Sequence, residues 1–164
     1  MFKLTGAVLI IVSGMMWGCG KAFGLKQRCK TLSGLISALT MLEEKISYEK
    51  RDIKTALISI GDTQNIPLFS ETAEKMQKMN CRAAFAETVK KQKSYLSEAD
   101  KEIILSLAEN LGMTDTKTQI NSIEYSCKLL ENARENAVHE YEKNGRLYRS
   151  TGILCGILAV ILLY

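Results

Sequence analysis

Two uncharged, apolar stretches lie at the ends of this chain of 164 residues. Residues 4–20 read LTGAVLIIVSGMMWGCG and residues 150–164 read STGILCGILAVILLY. All 18 acidic residues lie between Glu43 and Glu142. As helices, the first stretch would extend about 25 Å and the last one, counted from Leu147, about 27 Å, close to the roughly 30 Å hydrocarbon core of a bilayer. The pattern predicts a polar middle domain held between two membrane-spanning helices.

Basic residues flank both apolar stretches on the side that faces the middle of the chain. They are Lys21, Lys26, Arg28 and Lys30 after the first stretch, and Lys143, Arg146 and Arg149 before the last one. Only Lys3 lies on the other side. Because short cytoplasmic flanks are enriched in lysine and arginine, we expect membrane helices at residues 1–21 and 147–164, with a cytoplasmic domain over residues 22–146. Both termini would then lie outside the cytoplasm.

Each apolar stretch also has an alternative interpretation. The first ends at Cys19, where a secreted lipoprotein would carry its lipid-modified cysteine, but Trp17 is bulky where such signals have a small residue. The four bases that follow also favour a membrane helix. The last stretch could be a buried core helix, but it is apolar on every face. We therefore expect two membrane spans and no lipid on Cys19.

Glycines recur four residues apart in both apolar stretches. The pairs are Gly14 with Gly18 and Gly152 with Gly156, and each pair lies three and seven residues from the nearest base. Small residues at this spacing let membrane helices approach closely. In an antiparallel pair the two sets would fall at the same depth, so we predict that these four glycines pack the membrane helices together.

The middle of the chain has helical apolar spacing, little period-2 alternation and a single proline, Pro67. Apolar residues at helical spacing form three stripes, each on one face of a predicted helix. The stripes are Leu32, Leu35, Ile36, Leu39, Leu42 and Ile46; Ile104, Leu107, Ala108 and Leu111; and Ile120, Ile123, Cys127, Leu130, Ala137 and Tyr141. The last stripe is broken by Arg134. We predict an all-α bundle of about six cytoplasmic helices, two long and four short, flanked by the two membrane helices.

Capping residues give the expected helix boundaries. We expect the first long helix to end in SYEKRD, and Asp52 to cap a short helix that stops at Ile60 before Gly61, with a loop over DTQNIP. The other signals are Pro67 in a first turn, a break at Asn80, a capping box from Ser97 to Asp100, a stop at Gly112, a start at Thr114 or Asp115, and a possible bend at Asn144 and Gly145.

Catalytic and metal-binding patterns are absent from the sequence. There is no phosphate loop, and the single histidine, His139, lies in the polar segment ENAVHEYEK. The five cysteines form no C-x-x-C pair, which predicts small hydrophobic residues in a reducing compartment. Basic residues are not interleaved with aromatic ones as in nucleic-acid grooves. We expect a protein without enzymatic activity, metal or cofactor that binds other proteins and no nucleic acid.

The whole chain resembles the stage III sporulation protein AB family of endospore-forming bacteria. The resemblance lies in LTGAVLIIVSGMMWG, LISALTMLEEKISY, PLFSETAEKM, LSEADKEIILSLAENLGMTD and EKNGRLYRSTGILCGILAVILL, in this order. One departure is Ala108, where the family pattern leads us to expect glycine. The family is similar to the inner-membrane platform protein of type II secretion and type IV pilus systems.

The resemblance implies a place in the complex that links the mother cell and the forespore, in the mother-cell membrane around the forespore. A companion protein of that complex resembles secretion ATPases, and this chain would be its membrane platform, forming homo-oligomers and contacting other channel components. The alternative is a self-associating membrane scaffold or signalling protein without a motor partner. A docking surface is expected at the far end of the first long helix, at Glu43, Glu44, Glu49, Lys50 and Arg51.

Overall fold

The protein, seen in a computed structural model, is all-α over the residues that the structure describes, which are 2–48, 52–64, 66–91, 95–112 and 115–163. Those residues form six helices and no strand. The helices are α1 (Phe2–Ser47), α2 (Ile53–Gln64), α3 (Pro67–Lys75), α4 (Cys81–Lys91), α5 (Glu98–Asn110) and α6 (Thr116–Leu163). The predicted helical class, with two long helices and four short ones, is confirmed.

The apolar ends do not form helices of their own. α1 has 46 residues and α6 has 48, and each continues from an apolar end into the polar middle of the chain. No proline interrupts either one, and an interior glycine costs only about 1 kcal/mol, so backbone hydrogen bonding continues through both junctions. The expectation of separate terminal helices beside six others is therefore wrong in number. Within the described residues, no helix combines the length and the apolarity that crossing a membrane requires.

The chain groups into two compact units. The terminal unit contains Met1–Cys29 and Glu135–Tyr164, and the central unit contains Lys30–Arg134. The two units are defined by contacts between residues of the chain. The boundaries that we expect at residues 21 and 147 are different, because they separate membrane helices from a cytoplasmic domain. Those boundaries stay a prediction.

The core of the central unit is built from the predicted stripes. Residues of all three are buried, among them Leu32, Leu39, Leu42, Ile104, Leu107, Leu111, Ile123 and Leu130. The short helices pack in chain order, α2 against α3, α3 against α4 and α4 against α5. Phe69 of α3 and Phe85 of α4 meet edge to face, with ring centroids 6.1 Å apart. These two rings are among the largest fully buried side chains in the described part of the protein.

Most predicted helix boundaries are confirmed by their capping contacts. Pro67 lies in the first turn of α3, and Asn80 Oδ1 accepts a hydrogen bond from the Ala83 amide at 2.8 Å. Ser97 and Asp100 form the capping box of α5. Gly112 follows α5 with φ of 81°, a left-handed conformation that glycine adopts without strain. α6 begins after Asp115, whose carboxylate accepts a hydrogen bond from the Thr118 amide.

Gly61 is the clearest error in the predicted boundaries. α2 does not stop at Ile60 but continues through Gly61 to Gln64, so the first three residues of the expected loop are helical. The glycine is buried, and a Cβ at that position would lie 2.7 Å from the Ser70 nitrogen and 2.9 Å from Ser70 Cβ. Because Gly61 has no side chain, α2 and α3 can pack closely at this point. The glycine does not end a helix.

Candidate interaction surfaces

In the terminal unit, α1 and α6 contact each other through backbone atoms of glycine. A Cβ on Gly14 would lie 2.6 Å from the carbonyl oxygen of Gly152, and a Cβ on Gly152 would lie 2.5 Å from the carbonyl oxygen of Gly14. A Cβ on Gly18 would meet the carbonyl oxygen of Tyr148. Because real Cβ atoms do not approach so closely, no residue larger than glycine fits at these positions without a shift of the helices.

The register of this contact pairs the glycines across the two helices. The Cβ positions of Gly14 and Gly18 lie 3.4 Å from the Cα atoms of Gly156 and Gly152, respectively. The structure therefore brings together the four residues that the sequence singled out. Their role in packing membrane helices stays a prediction.

Around the glycine contact, both helices expose large apolar side chains. Those of α1 are Leu9, Val12, Met15 and Met16, and those of α6 are Leu154, Ile157, Leu158 and Ile161. Exposed fractions reach 71% for Met16 on α1 and 72% for Ile161 on α6. Soluble monomers rarely expose a contiguous apolar area of this kind, which typically marks a surface that meets a membrane or another protein.

Charged side chains lie on the part of each helix that is nearer to the middle of the chain, after the apolar part of α1 and before that of α6. The ammonium group of Lys21 lies 5.9 Å from the centre of the Trp17 ring, within the range of a cation–π contact. Arg28 forms an ion pair with Glu140 at 3.6 Å. The same unit has an open surface cavity of about 300 Å³, lined by Cys19, Ala22, Phe23, Lys26 and Tyr141.

Gly145 has a packing role beside this cavity. The residue is buried, and a Cβ there would lie 3.3 Å from two carbons of the Tyr141 ring. The bend expected at Asn144 and Gly145 does not break the helix, since α6 is continuous at this point. The glycine therefore leaves room for the ring, which forms part of the cavity wall.

The central unit carries a cluster of carboxylates that spans α1 and α6. Glu43 is half-buried, and its pKa is raised by burial and by the negative charges of Glu124 and Glu44. The negative charges of Glu43, Glu131 and Glu124 also raise the pKa of the Cys127 thiol. We call Glu43, Glu44, Glu124 and Glu131 the acidic cluster.

Half of the acidic cluster was missed in the sequence. Glu124 and Glu131 stand three residues before and four residues after Cys127, so they flank a residue of the third predicted stripe. That spacing places them beside the buried face of α6. The sequence therefore contained a pattern from which both residues could have been predicted. Glu44, Glu124 and Glu131 are exposed. Glu49, Lys50 and Arg51, the other expected docking residues, lie outside the described residues.

The cysteines and the histidine are placed as follows. None of the five cysteines, all of which lie in described residues, forms a disulfide bond. Burial raises the pKa of Cys81 to about 11, and burial with the nearby carboxylates raises the pKa of Cys127 to about 11, so both remain protonated at neutral pH. His139 is exposed. Across the described residues, no group of three or more histidine, cysteine, aspartate or glutamate side chains could hold a metal ion.

Comparisons with known proteins agree with this architecture. The family described as stage III sporulation protein AB matches residues 3–164. Stage III sporulation protein AB of Bacillus subtilis (strain 168) is 29% identical over 170 residues, which cover 99% of each chain. A solved structure of stage III sporulation protein AB (SpoIIIAB) is similar with a TM-score of 0.64 and 24% identity, over 70% of this chain and 96% of that one. Because the family match spans nearly the entire sequence, this protein belongs to the stage III sporulation protein AB family.

Proposed function

We propose that the protein is a non-enzymatic membrane platform of the sporulation complex between mother cell and forespore, on which a cytoplasmic secretion-type ATPase docks. Family membership supports the role in sporulation. The observation that carries the platform role is the glycine contact between α1 and α6, surrounded by exposed apolar side chains. Such a pair of helices suits a membrane anchor that leaves a polar domain in the cytoplasm.

The anchoring proposal rests on the full sequence of both ends. Residues 4–20 and 150–164 contain no charged side chain, although no helix within the described residues has the length and apolarity of a membrane span. Trp17 and Lys21 stand at the polar end of the first stretch, where aromatic and basic side chains anchor helices at a membrane surface. By the same rule, the basic flanks favour a central unit in the cytoplasm and both termini outside.

We expect Gly152→Leu to weaken the contact between α1 and α6 by about 1–2 kcal/mol, because the new side chain meets the backbone of Gly14. The measurement is disulfide crosslinking between Trp17→Cys and Ile153→Cys in a chain without native cysteines. Gly20→Leu is the matched control, since a Cβ at Gly20 has nothing within 4 Å. Equal crosslinking in both leucine variants would show that the glycine contact does not hold the pair.

The docking part of the proposal rests on the acidic cluster. Its four carboxylates lie on two helices of the central unit, and three of them are exposed. A concentrated negative surface attracts a positive one and sets the register and rate of association more than its affinity. We therefore propose that the cluster meets a basic surface of the ATPase.

Reversing the charge of Glu43 and Glu44 to lysine tests this surface. We expect capture of the companion ATPase by the full chain to fall about tenfold or more, since like charges brought together at an interface cost several kcal/mol. The fold should persist, because the ammonium group introduced at Glu43 would attract Glu124, which the native carboxylate repels, and because Glu44 is exposed. Capture is measured by pull-down from detergent extracts, and sporulation efficiency is measured in cells carrying the same variant.

The control reverses two carboxylates elsewhere, Glu71 and Glu74 of α3, both exposed, which gives the same change in net charge. Unchanged capture by a folded Glu43→Lys, Glu44→Lys chain would show that the ATPase binds another face. Failure of the wild-type chain to retain the ATPase would favour the alternative function, a self-associating membrane scaffold or signalling protein. The exposed apolar side chains of α1 and α6 are the observation that favours self-association.

A further inference from the structure

The cavity of the terminal unit combines one cation with an otherwise uncharged wall. Four of its lining residues belong to α1 at positions that share one helix face, and the fifth, Tyr141, belongs to α6. Lys26 is the charged one among them. The cavity volume of about 300 Å³ lies at the lower end of small-ligand sites, enough for a headgroup but not for a whole lipid.

The surroundings of the cavity favour an anion. Lys21 lies five residues before Lys26 on α1, and Lys143 and Arg146 follow Tyr141 on α6 within five residues. Two acids flank Tyr141: Glu140 is paired with Arg28, and Glu142 is exposed. Lysine binds phosphate groups as a compact point charge with three donors. The basic residues around the cavity outnumber the acidic ones, so this region would attract a phosphate group.

The position of the cavity favours a phosphate that belongs to a lipid. Cys19 lies at the end of the uncharged stretch of α1, and the glycine contact precedes it on the same helix. Cys19, Ala22 and Phe23 give the cavity an apolar wall that a free, fully hydrated phosphate would not use. A phospholipid headgroup could meet Lys26 while its acyl chains follow the exposed apolar faces of α1 and α6.

We propose that this cavity binds the headgroup of an anionic phospholipid, with Lys26 contacting the phosphate and Tyr141, held over Gly145, forming the opposite wall. The proposal rests on the proposed membrane anchoring of α1 and α6. Basic pockets on the cytoplasmic side of membrane helices suit anionic headgroups. The site would bias this protein toward regions of membrane rich in such lipids.

The single tryptophan allows a direct test. Trp17 lies on α1, near the cavity residues. The full chain is reconstituted in phosphatidylcholine vesicles that contain a small fraction of brominated phosphatidylglycerol or, separately, brominated phosphatidylcholine. We expect stronger quenching of Trp17 fluorescence by the anionic lipid, and a preference about fivefold lower in Lys26→Gln, the equivalent of about 1 kcal/mol.

Two further variants fix the interpretation. Lys26→Arg should keep the preference, and Lys30→Gln, which removes an exposed lysine of the same helix outside the cavity, should keep most of it. Equal quenching by both lipids, or equal loss in Lys26→Gln and Lys30→Gln, would overturn the proposal. Loss of the preference on adding inorganic phosphate would assign the site to free phosphate instead. Failure of the chain to float with phosphatidylcholine vesicles would refute the anchoring itself.

Discussion

Replacing Phe85 by alanine should lower the free energy of unfolding of the central unit by about 3–5 kcal/mol. Phe85 is 1% exposed and meets Phe69 edge to face, so truncation removes a buried ring and leaves a cavity between α3 and α4. The aromatic pair adds about 0.5–1.5 kcal/mol beyond the buried area. Because domains are stable by only about 5–15 kcal/mol, this single change would remove a large part of the total.

The measurement is equilibrium urea unfolding of the full chain in mild detergent, followed by circular dichroism. The midpoint should fall by roughly 2 M urea, given a slope of about 1–3 kcal/mol per molar. Tyr125→Ala is the matched control, since Tyr125 is 63% exposed on α6 and its loss should change the free energy by less than about 0.5 kcal/mol. A loss below about 1 kcal/mol in Phe85→Ala would contradict the observed core.

Gly61→Ala should destabilise the central unit by about 1–3 kcal/mol, although alanine is the better helix former. A Cβ at this position would lie 2.7 Å from the backbone nitrogen of Ser70, which cannot rotate away, so α2 and α3 must separate. The same urea titration measures the change. The sign of the effect decides between a packing glycine and a glycine that merely ends a helix.

Gly34→Ala is the matched control for this experiment. Gly34 lies inside α1 in the central unit, and a Cβ there would make an ordinary 3.6 Å contact with the Ile66 side chain. We expect this variant to gain up to about 1 kcal/mol from helix propensity. Stabilisation of both variants would show that α2 and α3 are not closely packed at Gly61.

The helices of this protein could be predicted wherever a local interaction determines them. Ser97 and Asp100 satisfy each other's backbone within one turn, and Gly112 adopts a left-handed conformation that other residues avoid. The periodicity of Leu32, Leu35 and Leu39 marks a buried face whatever packs against it. Glycines spaced four apart likewise marked a face suited to close contact.

What the sequence determined by itself is the helical class, most helix ends, the buried stripes and the family, since each depends on residues that interact locally or on the order of motifs along the chain. Only the tertiary structure decided the role of Gly61, the joining of Glu43 with Glu124 and the cavity between Lys26 and Tyr141. In each of these the partners come from different helices, and the distance between them is set by packing. A glycine that ends a helix and one that admits a neighbouring helix are identical in sequence, and only the atoms opposite it distinguish them.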